Sequence, residues 1–251
     1  MTPRTRSRLG IAALIPLGGL LVASVAGLYP FGGFNGFYGT RYNHVTVEQR
    51  HIPSAVTAVV FDYRGLDTMG EELILLAAVA GIALLLRQLR DEGETGSHDA
   101  RPGRPDLPPS EGIQTAGIVL LGFGFVYGWY IVVFGHLSPG GGFQGGAAIA
   151  SALIMLYVAG SHKILESLAP RAIFESVEAI AVAGYICTGL SGLIMNMRFM
   201  ENVLPLGQRG HLLSGGMIPL LNVLVGISVA TGFVLVAQEF VHQAVTVREE
   251  T

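Results

Sequence analysis

Long uncharged apolar runs, broken by short polar segments, dominate the chain. A hydrocarbon core takes about 20 mostly apolar residues per helix, and the pattern predicts six such helices. They run from Leu9 to Leu28, Leu73 to Leu86, Gly112 to Phe134, Phe143 to Gly160, Ala179 to Met197, and Gly215 to about Ala237. The second is short and reaches spanning length only if it begins near Thr68. The expected fold is an all-α membrane protein with six transmembrane helices in a 2+4 arrangement. Segment 91–111 (DEGETGSHDARPGRPDLPPSE) has charges, Pro and Gly but no apolar period. It reads as a cytoplasmic linker between a two-helix module, 1–90, and a four-helix domain, 112–251. No self-similarity links the halves, which argues against an inverted-repeat transporter.

Composition agrees: 51% of residues are hydrophobic and 13% charged, against roughly 25% charged in average soluble chains. A formal charge of −3 without a long basic run leaves no footprint for nucleic acid. The single cysteine, Cys187, excludes disulfide frameworks and cysteine-based metal or iron–sulfur sites. With the N-terminus inside, the cytoplasmic segments hold ten Lys and Arg and the opposite side five. Both termini are therefore expected to be cytoplasmic in a multi-pass protein of the cell (inner) membrane. The arginines before the first run and the small residues Ser24-Val25-Ala26 also fit a cleaved signal peptide, although the run is longer than the usual h-region.

Three segments carry candidate chemistry. In FDYRGLDTMGEE (61–72), Thr68 and Glu71 have capping-box spacing, so Thr68 is expected to start the second span. A short interfacial or re-entrant helix, Pro53 to Phe61, precedes it. Asp62, Asp67, Glu71 and Glu72 form a candidate cation vestibule, though acids in a first helical turn also suit the helix dipole. The hairpin GHLSPGGGFQGG (135–146) has six glycines and no Gly-Lys-Ser/Thr for phosphate, and reads as an assembly element or a lined ion path. Its candidate residues are His136, Pro139, Gly140, Gly141, Gly142 and Gln144. In SGGMIPLLNVLVG (214–226), Pro219 is expected to kink the last helix and Asn222 to bridge to another. Gly124-x-x-x-Gly128, with Trp129 and Tyr130, reads as helix packing with aromatic anchoring.

The span interiors, so bounded, contain no Asp, Glu, Lys or Arg. Glu175, Glu178 and Glu239 fall at the cytoplasmic edges. A chain without such residues is not expected to exchange ions alone. It shows no nucleophile–base pair or histidine cluster, so no enzymatic activity and no cofactor are expected.

The hairpin and SGGMIPLLNVLVG resemble the MnhB family, the B-type subunits of the Mrp-type multisubunit sodium/proton antiporters. VVFDYRGLDTMGEE (59–72) resembles the C-terminal module of the antiporter's large A-type subunit, which occurs as the separate protein MbhE in membrane-bound hydrogenases. Gln144 and Ser228 depart from many relatives, which have Ile and in some a charged residue there. The resemblance implies an accessory subunit that packs beside separate pumping subunits and helps shape a sodium and proton route in the bilayer. A membrane-arm subunit of a hydrogenase-like redox complex and an independent channel or scaffold are the alternatives.

Overall fold

A computed structural model describes residues 3–28, 36–86, 110–159 and 168–249. The linker 91–111 lies outside these except at its last two residues. The chain divides into two compact units, Met1–Arg41 and Tyr42–Thr251. In the first, helix α1 covers Pro3–Ala26 and contains Pro16, and α2, Phe37–Arg50, begins there and crosses into the second.

The second unit continues with α3, Ala55–Ala58, which runs into a π-helical segment, Val59–Tyr63. The later helices are α4 Gly65–Leu85, α5 Glu111–Phe134, α6 Gly142–Val158, α7 Arg171–Ile194 and α8 Ile218–Glu249. Four stretches are long and apolar enough to cross a membrane: Gly65–Leu85, Glu111–Phe134, Arg171–Ile194 and Ile218–Phe240. Leu14–Ala26 and Gly142–Tyr157 are apolar but shorter. The chain is thus an all-α, multi-pass membrane protein.

The core gathers around α8, whose most apolar window is 61% buried, against 17% for α4 and α5. Small residues bring the helices close. Gly146 faces the Gly226 carbonyl of α8, where an added Cβ would sit 2.6 Å away, and Gly128 faces the Gly145 carbonyl of α6 at 2.9 Å. Without water between helices, such contacts are the main source of packing energy in lipid. One cluster joins Ile52, Phe61 and Tyr185 to Ile218, Leu221 and Val225. Another joins Val132 and Ile149 to Ala230 and Val234. Outward-facing residues of α4, α5 and α7, such as Ile74, Phe123, Val126, Ile180 and Ile194, are apolar and exposed.

Three expectations are corrected. Thr68 is not the helix start: α4 begins at Gly65, after Arg64 breaks the preceding turn at φ −134°, ψ 33°. Thr68 sits one turn inside, and its hydroxyl donates back across the break to the Val60 carbonyl (2.7 Å). Pro219 does not kink the last helix, because it is the second residue of α8, where a missing N–H costs nothing. The fifth helix starts at Arg171 rather than Ala179. Its first two turns are amphipathic rather than apolar, and the Arg171 side chain pairs with Glu175 (2.7 Å) and with Glu239 of α8.

Candidate functional site

The hairpin between α5 and α6 is held from three sides. Asn222, fully buried on α8, accepts from the Gly142 N–H (2.6 Å) and donates to the Val132 carbonyl. One amide thus ties the end of α5 and the start of α6 to α8. Thr57 donates to the Gly135 carbonyl (2.7 Å), and the Ser54 N–H donates to the His136 carbonyl (3.4 Å). His136 is fully buried, with Nε2 3.0 Å from the Leu212 carbonyl. Burial holds its pKa below the ordinary 6.5, against the opposing pull of backbone carbonyls at Leu212 and His211. Gly140, Gly141 and Gly142 line a cavity of about 180 Å³ with Thr57, Thr68 and Glu71. Gln144 lines it too but is exposed, as is Pro139.

The four vestibule acids do not share one opening. Asp62 bonds Arg50 Nε (2.6 Å) and accepts from Asn202 Nδ2 (3.1 Å). It lines a cavity of about 480 Å³ with Arg64, Arg198 and Glu201, so its charge is already compensated. Asp67 is exposed and pairs with Arg64. Glu71 is exposed and faces the hairpin cavity. Glu72 turns inward and is 1% exposed.

Glu72 has company that the sequence did not point to. Glu178, 3% exposed, projects from α7 within the Arg171–Ile194 stretch. A Cβ added at Gly232 of α8 would lie 2.8 Å from its Oε1. The hydroxyl of Ser228, also fully buried, faces the Glu72 carboxyl without meeting hydrogen-bond geometry. The membrane-embedded helices therefore do contain ionisable residues, which corrects the expectation of carboxylate-free spans. Two apolar positions within 171–178 would have revealed it: Phe174 and Val177, half-buried, already continue the α7 face that runs on through Ala181 and Tyr185.

Asn202, unremarked in the sequence, is a further clasp. Its side chain bonds Asp62, the Gly215 carbonyl (2.9 Å) and the Met217 N–H (3.0 Å). Tyr185 of α7 donates to the Gly65 carbonyl at 3.0 Å. These contacts, with those of Thr57, join the α3–α4 region to the last four helices.

Residues 113–235 match the family described as a domain related to the MnhB subunit of Na+/H+ antiporters. A chain of the membrane-bound sulfane sulfur reductase, an archaeal respiratory membrane complex, is 32% identical, with a TM-score of 0.69. The alignment covers 94% of this chain and 98% of that one. The B-type subunit of the Na+/H+ antiporter of Bacillus subtilis is 30% identical over 36% of this chain and 62% of its own length. A chain of the Mrp complex from Dietzia shares the fold, with a TM-score of 0.70 at 21% identity, across 95% of this chain and 26% of that one.

Proposed function

We propose that the chain, whose residues 113–235 match the domain related to the MnhB subunit of Na+/H+ antiporters, is an accessory membrane subunit of a multisubunit sodium/proton antiporter. It catalyses no reaction and assembles with separate pumping subunits, whose ion route it helps to shape. The observation that carries this reading is the division of its surface. An interior packed around α8 and fastened by buried polar clasps such as Asn222 is closed off, while α4, α5 and α7 present broad apolar faces outward. Such faces are covered by lipid and by neighbouring chains. The exchanged ions are sodium and protons, and Glu71, exposed beside the hairpin cavity, is the vestibule acid best placed to attract a cation from outside.

In this reading α1 and α6 also cross the bilayer, which makes six spans, and both termini are cytoplasmic. Cysteine labelling at positions 99 and 137 from outside intact cells tests it; label at 99 would reverse the topology.

A second reading is a membrane-arm subunit of a redox complex. Its support is the nearly full-length likeness to the chain of the sulfane sulfur reductase complex. Purifying the tagged chain in mild detergent and identifying its companions decides between them. Antiporter subunits support the first reading, whereas iron–sulfur subunits replace it with the second. Deletion of the chain should also abolish sodium/proton exchange in membrane vesicles.

A further inference from the structure

Within the second unit, α4, α7 and α8 enclose Glu72, Glu178 and Ser228, each less than 4% exposed. Each has a buried oxygen without a hydrogen-bond partner among the described residues. On α8, Ser228 faces the Glu72 carboxyl, and Gly232, one turn further along the same face, meets Glu178 Oε1. The Tyr185 hydroxyl on the Gly65 carbonyl anchors α7 against α4, and Val79 and Glu178 both meet the position of Gly232 further along. The two helices are therefore antiparallel. Ser228 and Gly232 are four residues apart on α8, which offsets the two carboxyls by about 6 Å along the bundle at 1.5 Å per residue.

Among the described residues no cationic side chain serves this pair. Arg171 is held by Glu175 and Glu239, and lies two turns from Glu178 on α7. The other titratable groups facing the site are Glu71 from α4, Glu175 and Tyr185 from α7, and Glu239 from α8. None of these supplies positive charge. A cavity of about 230 Å³, lined by Glu178, Glu175, Glu239 and Arg171, reaches Glu178 from the end of the bundle opposite the hairpin. Carboxylates inside a membrane are costly unless compensated, and persist where they bind or relay ions. Among the described residues no third carboxylate, histidine or cysteine joins them in a metal-binding group, which disfavours a divalent ion.

We infer that Glu72, Glu178 and Ser228 form a buried monovalent-cation site in which a proton and a sodium ion compete for the same carboxyl pair. When sodium enters, the carboxyl O–H bond breaks and the proton leaves through the cavity. The carboxylate oxygens and the Ser228 hydroxyl take the ion, and the reverse step restores the acid. No electron changes hands. The inference rests on the chain being a membrane-embedded subunit, and it deepens that reading by placing one exchange site in this chain.

The test uses the wild-type complex in native membranes. Dicyclohexylcarbodiimide reacts with protonated carboxyls in apolar surroundings, and peptide mass spectrometry locates the adduct. The expected result is labelling of Glu72 or Glu178, slowed at least tenfold by sodium at constant ionic strength with choline as the control. Absence of labelling overturns the site; labelling indifferent to sodium overturns the competition. In Glu178→Gln, sodium protection of Glu72 and sodium/proton exchange should both fall at least tenfold, and undiminished protection would refute the shared site. Gly232→Ala keeps both carboxyls but crowds Glu178, and should weaken sodium protection while labelling persists. Companion subunits are identified in the same samples. Their absence counts against the antiporter reading, whereas the wild-type labelling decides the site.

Discussion

Replacing Asn222 by leucine removes the link that joins three helices at the hairpin, and the structure sets the size of the loss. Two buried hydrogen bonds disappear, from the Gly142 N–H and to the Val132 carbonyl. The consequences are unequal. Val132 keeps a weak backbone donor in the Gly135 N–H, at 3.4 Å. Gly142 opens α6, so its N–H has no partner within the helix. A side-chain hydrogen bond between membrane helices contributes about 0.6 kcal/mol on average and at most about 1.7. An orphaned buried donor costs about 1–3 kcal/mol. Leucine also has to fit where Gly135 approaches, since a Cβ there would already lie 2.6 Å from Asn222 Nδ2. The sum is about 2 kcal/mol, or roughly a thirtyfold shift in the folded population. Trp129, the sole tryptophan, packs against the α5–α6–α8 cluster and reports that population by fluorescence. Unfolding in mixed micelles of increasing dodecyl sulfate should show the shift. A change below about 0.5 kcal/mol, smaller than one average interhelical hydrogen bond, would refute the reasoning.

His136 predicts a pH dependence. Its folded-state pKa lies below 6.5 because burial disfavours the imidazolium, so the unfolded chain binds the proton first. Stability is complete above about pH 6.5 and falls as the pH drops below it toward the folded value. Thermal unfolding at pH 8 and pH 5.5 should therefore differ more in the native chain than in His136→Asn, and equal differences would exclude this histidine. Arg50→Gln should destabilise by about 2 kcal/mol, because Asp62, whose side chain is 6% exposed, keeps only Asn202 as partner. Adding Asp62→Asn should recover most of that in a double-mutant cycle, and strict additivity would show that the pair does not interact.

What the sequence disclosed followed from hydrophobic length. Runs such as Gly112 to Phe134 coincide with helices to within a residue, because lipid-facing positions are apolar all round and need no periodicity to be seen. The close-packed glycines were legible for a related reason, since only contact between backbones explains so many small residues in helices. Charged turns misled. The segment 171–178 reads as a loop when charges are used as boundaries, yet Arg171, Glu175 and Glu239 satisfy one another and allow the helix to begin early. Glu178 therefore lies deep when the composition places it at an edge. The two carboxylates lie more than a hundred positions apart and come together only through neighbouring turns of α8, at Ser228 and Gly232, a pairing that no local pattern encodes. The break at Arg64 was hidden for the opposite reason: Thr68 and Glu71 have capping spacing, but the hydroxyl is more useful to Val60 than to its own helix.

The clasps formed by Thr57, Tyr185 and Asn202 bear on how such a chain tolerates fission. They bind the region before residue 87 to the region after 109 through side chains and backbone carbonyls in direct contact. Covalent continuity across the intervening stretch adds only effective concentration, which in a membrane is already high for two co-inserted pieces. Two genes encoding 1–90 and 112–251 should consequently yield fragments that find each other in the bilayer and elute together. On this view the join between the two parts is a convenience of stoichiometry, securing one copy of each, while mutual recognition resides in the clasps.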